Sequence, residues 1–275
     1  MDERVIRGFG SESEQQDFLK RHKVFCSRFE DLKCLLDRVF IRKSIPSDLM
    51  HKVVFHLGRL CVEDFMEILL LCSNGYGIAA MRLLRGMYER AVTARYLSSH
   101  HHEVLDFVEF DHVTRRRLCN NIEATFGKGT MPQDEVEQVE AQYQRVYKRY
   151  VVPICQQCKT ERVNYTWTTL DFVSMAHKTG QLGNLVVHAY YLPTEQAHCT
   201  AGAILSRLEE KDGGMTFMTG AQRKEADQVL ITAHSIIMDT IDLQKEVFGL
   251  NQIEAALEVC KKHFFEIWGD PPQER

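Results

Sequence analysis

The sequence predicts an all-α fold, a multi-helix bundle of roughly seven to nine helices with little or no sheet. Apolar residues recur at three- and four-residue steps along most of the chain, which is the period of one helix face. Strand signals are almost absent, and Thr160–Thr169 is the one candidate for an extended segment. The chain has 275 residues with 44% hydrophobic content, which is enough to bury a core.

The first half of the chain predicts four long helices. They cover Gln15–Phe40, Asp48–Cys72, Ile78–Ser99 and Glu103–Phe126. Pro46 separates the first two, and Asn74 with Gly75 marks the turn into the third. The third helix is unusual because it carries a dense set of charges in an apolar sequence. Such charges either face solvent or face one another inside a bundle, so this helix is where we expect a site.

The second half of the chain is less regular but still predicts helices. They cover Glu135–Tyr150, Leu192–Leu208, Thr219–Phe248 and Asn251–Trp268. Cys155–Asp171 is the least regular segment, and Lys211–Met215 has the composition of a turn. We therefore predict one all-α domain over residues 14–268, with a flexible leader at 1–13 and a flexible tail at 269–275.

Composition and charge predict a cytoplasmic protein. The formal net charge is −4, so no global basic field indicates nucleic-acid binding, although a local basic patch remains compatible with it. The nine cysteines are odd in number and follow a polar N-terminus unlike a secretory signal, which favours reduced thiols. No apolar run approaches the roughly 20 residues that a membrane-spanning helix needs. We therefore expect no membrane partner.

The first candidate constellation is Arg85 with Glu89 on the third helix. A four-residue step brings both side chains to one face of a helix. The simplest interpretation is a solvated ion pair or a structural bridge between helices. Apolar neighbours crowd the same helix, however, and a buried Arg–Glu pair is costly enough that it is often kept for function.

Two Glu-x-x-His steps suggest a metal site. Glu109 with His112 and Glu195 with His198 each place a carboxylate and an imidazole one turn apart on a helix. Two such pairs, with one further carboxylate from each of two other helices, form the ligand set of di-metal bundles. Glu89 is one candidate for a further carboxylate. The other candidates are Glu63, Glu67, Glu137 and Glu140. The expected cofactor is a divalent ion, Fe, Mn or Zn, although Glu-x-x-His also arises by chance and acids favour a first helical turn.

A further pair, Arg95 and His100, lies at the end of the third helix. The Arg-x4-His spacing is similar to that of the HEPN class of helical ribonucleases, in which the Arg positions phosphate and the His handles a proton. That class usually has a polar residue after the Arg, where this chain has Tyr96. The alternative is an ordinary helix end with a His near the C-terminal dipole. Arg115–Arg117 and Lys148–Arg149 offer phosphate contacts, or are simply solvated charges.

The last candidate is the CxxC pair Cys155 and Cys158. A lone CxxC lacks the second pair of ligands that a structural zinc site needs. His177 or His188 could complete a site, but two unrelated thiols are the simpler interpretation.

Two segments together resemble a known family. They are RLLRGMYE at Arg82–Glu89, continuing through Arg95–Leu97 to DFVEFDH at Asp106–His112, and YYLPTEQAHCT at Tyr190–Thr200. They resemble a bacterial helical family catalogued as domain of unknown function 5677, over about Leu57 to Leu208. Its members show an Arg-x-x-x-Glu helix, an acidic and aromatic helix, and a Tyr…Ser/Thr-x-x-x-His-x-Ser/Thr segment.

The resemblance implies an all-α fold in which a set of polar residues converges. That set is Arg85, Glu89, Glu109, Thr194 and His198. The chain departs from the family pattern at Tyr191, where Arg is expected, and at Cys199, which occupies a small-residue position. The family carries no settled activity, so the resemblance sharpens the site and not the function.

The leading hypothesis is a cytosolic bacterial protein with one buried polar pocket that acts as a metal-dependent hydrolase or nuclease of a stress or phage-defence system. In this hypothesis Arg85 binds an anion or holds Glu89, and Glu89 and Glu109 are carboxylate ligands or bases. His198 and His112 carry protons or bind metal. Thr194 caps the helix that presents His198.

Two alternatives remain open. One is a HEPN-like, metal-independent ribonuclease that acts through Arg95 and His100 in a homodimer, with RNA or a nucleotide as its partner. The other is a non-enzymatic helical regulatory or scaffold module, whose polar residues are structural bridges.

Overall fold

The computed structural model of the chain describes residues 10–41, 48–155, 159–211 and 213–269. Within these ranges the long helices are α1 (Glu12–Arg21), α2 (Lys23–Phe40), α3 (Leu49–Ser73), α4 (Gly77–Ser99), α5 (Val104–Phe126), α6 (Gln133–Val146), α10 (Arg223–Phe248) and α11 (Glu254–Trp268). The short helices are α7 (Phe172–His177), α8 (Leu192–Ala197) and α9 (Ala201–Leu205). The predicted all-α class is therefore confirmed.

The strands among the described residues form two small antiparallel hairpins. Strand β1 (Val151–Cys155) pairs with β2 (Thr160–Val163), and a bulge interrupts their register between Pro153 and Cys155. Strand β3 (Leu208–Lys211) pairs with β4 (Gly214–Phe217) in an uninterrupted register. The predicted extended segment is thus confirmed at Thr160, and little sheet is present, as expected.

The chain divides into two compact units, residues 1–98 with 175–275 and residues 99–174. In the first unit, α3, α4 and α10 share a core in which Val54, Ala94 and Leu243 are buried. The buried amide of Gln244 donates to the carbonyl oxygen of Val54 at 2.9 Å, which joins α10 to α3. This layer of three helices fixes the position of α4.

The second unit is an α-helical hairpin followed by a β-hairpin. Helices α5 and α6 pack together through Val113 and Val146, and Tyr150 completes their core. The hydroxyl of Tyr150 donates to the carbonyl oxygen of Asp106 at 2.8 Å. Arg117 donates to the carbonyl oxygens at the end of β2, including that of Asn164, and so ties the β-hairpin to α5.

Two predicted helices are interrupted in the structure. The first breaks at His22 into α1 and α2, and α1 begins at Glu12, inside the predicted leader. The helix predicted over Leu192–Leu208 is interrupted after Ala197, because the chain is extended at His198. It resumes as the short helix α9, and Leu208 already belongs to β3. The remaining predicted leader, 1–9, and nearly all of the predicted tail, 270–275, lie outside the described residues.

None of the helices in the described part of the chain combines the length and apolar character that a membrane crossing requires.

Candidate functional site

One polar cluster joins α4 to the segment around α8, and Arg85 is its centre. The Nε of Arg85 donates to Oε1 of Glu89 at 2.9 Å, one turn further along α4. Its Nη1 lies 3.1 Å from Nε2 of His198, a residue 113 positions away in the chain. Its guanidinium carbon lies 5.1 Å from the ring centroid of Tyr190. We call Arg85, Glu89, His198 and Tyr190 the Arg85 cluster.

The contact between Arg85 and His198 sets the hydrogen-bonding role of each group. A guanidinium group can only donate hydrogen bonds, so His198 Nε2 is the acceptor for Arg85 Nη1. In this tautomer the ring proton is on Nδ1. A ring nitrogen with a lone pair is able to accept a proton from a reacting group.

His198 reaches Arg85 because helix α8 ends just before it. The backbone of His198 is extended, with φ −102° and ψ 157°, so its side chain leaves the helical path. The prediction that Glu195 and His198 share one helical face is therefore wrong. The Glu195 carboxylate instead lies against Gly202 at the start of α9, where no side chain interferes.

The segment before α8 places the ring of Tyr190 against the guanidinium group of Arg85. Residues Val187–Tyr191 form one turn of π-helix, a wider turn that is frequently found at functional sites. The hydroxyl of Thr194 donates to the carbonyl oxygen of Tyr190 at 2.5 Å. The predicted N-cap role of Thr194 is thus wrong, since a cap accepts from a backbone N–H. Thr194 supports the turn that carries Tyr190.

Arg82 belongs to the same face of α4 and extends the cluster. It lies one turn before Arg85, and its Nε donates to the carbonyl oxygen of Gln196 at 2.9 Å. Its two terminal amino groups, and Nη2 of Arg85, make no hydrogen bond to any described residue. Arg82 and Tyr190 were not among the site residues predicted from the sequence. The 82, 85, 89 spacing was the available signal for Arg82, whereas no spacing indicated Tyr190.

The cluster lies at the surface of the first unit and is not the buried pocket predicted. The side chain of Glu89 is 41% exposed, that of Arg85 is 25% exposed, and His198 is exposed. The buried neighbour beneath them is Tyr88, whose hydroxyl donates to the carbonyl oxygen of Leu182 at 2.7 Å. Burial raises the pKa of Tyr88, so this phenol stays protonated and structural.

Glu109 and His112 belong to the second unit, where arginines of α6 and the turn after it bind them. Arg149 and Arg145 both form ion pairs with the Glu109 carboxylate, and Nη2 of Arg145 lies 3.3 Å from Nε2 of His112. This arrangement is an interhelical bridge across the α5–α6 hairpin. Metal binding by Glu109 and His112 stays a prediction.

In the predicted HEPN-like pair, Arg95 already has carboxylate partners. Arg95 donates to Asp239 of α10 and forms an ion pair with Glu246, so two carboxylates already surround its guanidinium. Burial raises the pKa of Asp239 to about 6, and the charge of Arg95 opposes that rise. His100 belongs to the second unit, where it precedes a short turn over His101–Glu103.

No group of three or more His, Cys, Asp or Glu side chains among the described residues has the geometry to hold a metal ion. Cys158 of the predicted CxxC pair lies outside those residues, and Cys155 ends β1. A divalent metal in the Arg85 cluster therefore stays a prediction.

The fold and the cluster define an α-helical protein with an Arg–Glu–His site at its surface. The chain belongs to the family of unknown function DUF5677, whose model matches residues 51–215. The match covers more than half of the chain and contains every residue of the Arg85 cluster. No curated protein and no solved structure matched in the corresponding comparisons.

Proposed function

We propose that the Arg85 cluster is a hydrolytic site for phosphate esters, and that the protein acts as a phosphodiesterase or nuclease. The observation that carries this proposal is that an imidazole and a carboxylate from two distant segments, His198 and Glu89, lie within hydrogen-bonding distance of Arg85 at the surface. Arginine forks match the geometry of phosphate oxygens, and imidazole is the commonest proton carrier in enzymes.

The roles follow from the contacts. Arg82 and Arg85 lie one helical turn apart, and each keeps a terminal amino group without a hydrogen bond to a described residue, which suits two non-bridging oxygens of one phosphate. Glu89 accepts a hydrogen bond from the Nε of Arg85 and so holds the guanidinium group in a fixed orientation. When a bound phosphate takes over Nη1 of Arg85, Nε2 of His198 is released beside the phosphate.

The reaction then needs one proton transfer in each direction. His198 Nε2 accepts a proton from a water molecule, whose oxygen forms a new bond to phosphorus. The ester P–O bond breaks, and the proton passes from His198 to the leaving oxygen, so atoms and charge balance. Both halves of this sequence use a single imidazole as base and then as acid.

Hydrolysis of bis(p-nitrophenyl) phosphate and of oligonucleotides tests the proposal. We expect His198→Gln and Arg85→Lys to lower kcat/KM by roughly 100-fold or more, since positioned acid–base groups contribute about 10²–10⁴-fold. His56→Gln and Arg59→Lys are matched controls, because both residues are exposed on α3 and should leave the rate unchanged. Thermal unfolding of each variant separates loss of activity from loss of fold.

Chelator and added metal ions form a second arm of the same assay. Loss of activity in chelator that Mn²⁺, Fe²⁺ or Zn²⁺ restores supports the metal-assisted form, in which Glu89 and His198 are the candidate ligands. Activity that persists in chelator supports hydrolysis by the side chains alone. Absence of hydrolysis under every condition, or full activity of His198→Gln, overturns the proposal.

A further inference from the structure

An exposed apolar strip lies on the segment that carries Tyr190. Tyr191 is 52% exposed, Val187 is 49% exposed and Leu192 is 37% exposed, and all three lie on the π-turn or at the start of α8. Burial in the core accounts for none of them. An exposed aromatic ring beside the ring that contacts Arg85 is a surface that suits a ligand with a flat face and a negative charge.

Tyr190 lies between this strip and Arg85. One face of the Tyr190 ring carries the Arg85 guanidinium, and its ring centroid lies 5.8 Å from that of Tyr191, with an interplanar angle of 65°. A single aromatic residue therefore separates the exposed Tyr191 ring from Arg85. In a nucleotide one sugar separates the base from the phosphate, so a base at Tyr191 and a phosphate at Arg85 have a comparable arrangement.

We propose that the ligand of this site is a single-stranded nucleic acid, with one base stacked on Tyr191 and the adjacent phosphate held by Arg82 and Arg85. This inference rests on the proposed function and names its substrate class. Stacking requires an accessible base face, which a duplex hides and a single strand offers. Every base has such a face, so the site tolerates many sequences.

Alternative ligands fit the same residues less well. A small phosphate ester without a ring would use the arginines and leave Tyr191 idle. A duplex would bring phosphates but no exposed base face. The net charge of −4 adds no long-range attraction for polyanions, so binding has to come from local contacts of this kind.

Fluorescence anisotropy with short labelled oligonucleotides tests the inference on the intact protein. The probes are single strands with bases, abasic strands of the same length, and duplexes, and each recovered probe is checked for cleavage. We expect base-bearing strands to bind about five-fold or more tighter than abasic strands, the effect of stacking one base. In Tyr191→Leu this advantage disappears, whereas binding of the abasic strand changes little.

Tyr76→Leu is the matched control, because Tyr76 is 47% exposed at the turn before α4 and should leave all affinities unchanged. RNA and DNA strands of one sequence identify which polymer is preferred, and a preference for either supports the inference. Equal binding of base-bearing and abasic strands, or of single strands and duplexes, overturns it. Since binding is measured directly, an absence of hydrolysis would overturn the proposed function and leave this inference standing.

Discussion

The four arginines of α4 divide into two kinds according to their partners. The four are Arg82, Arg85, Arg90 and Arg95. Arg90 pairs with Asp64 of α3 and Arg95 pairs with Asp239 of α10, so both are bridges between helices. Arg82 and Arg85 instead keep terminal amino groups that make no hydrogen bond to a described residue. The sequence presents all four alike, and only the neighbouring helices decide which of them are available to a ligand.

A buried histidine gives a prediction at the same scale. His234 is 3% exposed among aromatic rings, and its Nδ1 accepts a hydrogen bond from Nε1 of Trp268 at 3.0 Å. Burial lowers the pKa of His234 to about 4. The ordinary pKa of histidine in an unfolded chain is about 6.5. Between these two values the unfolded chain therefore binds a proton that the folded protein excludes.

The contribution of His234 to stability should therefore fall, by on the order of 3 kcal/mol, as the pH is lowered from about 6.5 to about 4, and should level off below that window. The pKa of Asp239, raised to about 6, acts in the opposite direction in part of the window. Urea unfolding of wild type and His234→Gln at each pH isolates the histidine, because the effect of Asp239 cancels in the difference. A difference that does not change with pH would contradict this assignment.

Among the secondary-structure elements, helix α8 matters most to the Arg85 cluster, because the position of its end determines where His198 lies. The sequence predicted a continuous helix, because Ala197, Ala201 and Ile204 keep a helical spacing and no Gly or Pro lies between Ala197 and Ala201. One local signal was present, since Thr200 caps α9 by accepting from the N–H of Ala203 at 3.0 Å. A continuous helix would have kept His198 beside Glu195, and the break turns it toward Arg85.

The approach of α4 to α10 provides a prediction about an element. A Cβ at Gly77 would collide with backbone atoms of Ala226 and Gln222, whereas a Cβ at Gly86 would meet only the flexible end of Arg90. We expect Gly77→Ala to cost about 1–3 kcal/mol of unfolding free energy, the usual cost of overpacking. Gly86→Ala should be neutral or stabilising by up to about 1 kcal/mol, because alanine favours a helix. Urea unfolding measures both, and equal effects would refute the close approach.

At the scale of the whole molecule, long helices were predictable and the grouping of polar residues was only half predictable. The periodicity of α3, α4, α5 and α10 survives because each of these helices buries apolar side chains. The hairpin pairings and the short helices α8 and α9 depend on contacts between distant residues, which no local pattern records. The same limit applies to the site. Arg85, Glu89 and His198 were predicted to meet and do meet, whereas Glu109 has arginine partners in the second unit.

The most direct test of the central claim, that Arg82 and Arg85 form an anion site at the surface, is thermal unfolding with increasing inorganic phosphate. A ligand that binds only the native state stabilises it by RT ln(1 + L/Kd), where L is the ligand concentration, so the unfolding temperature rises with that concentration. We predict that phosphate stabilises the wild type more than it stabilises Arg82→Met/Arg85→Met. The control Lys33→Met/Arg59→Met, which removes two exposed cations, should keep the wild-type response. An equal response of all three proteins to phosphate would contradict the account.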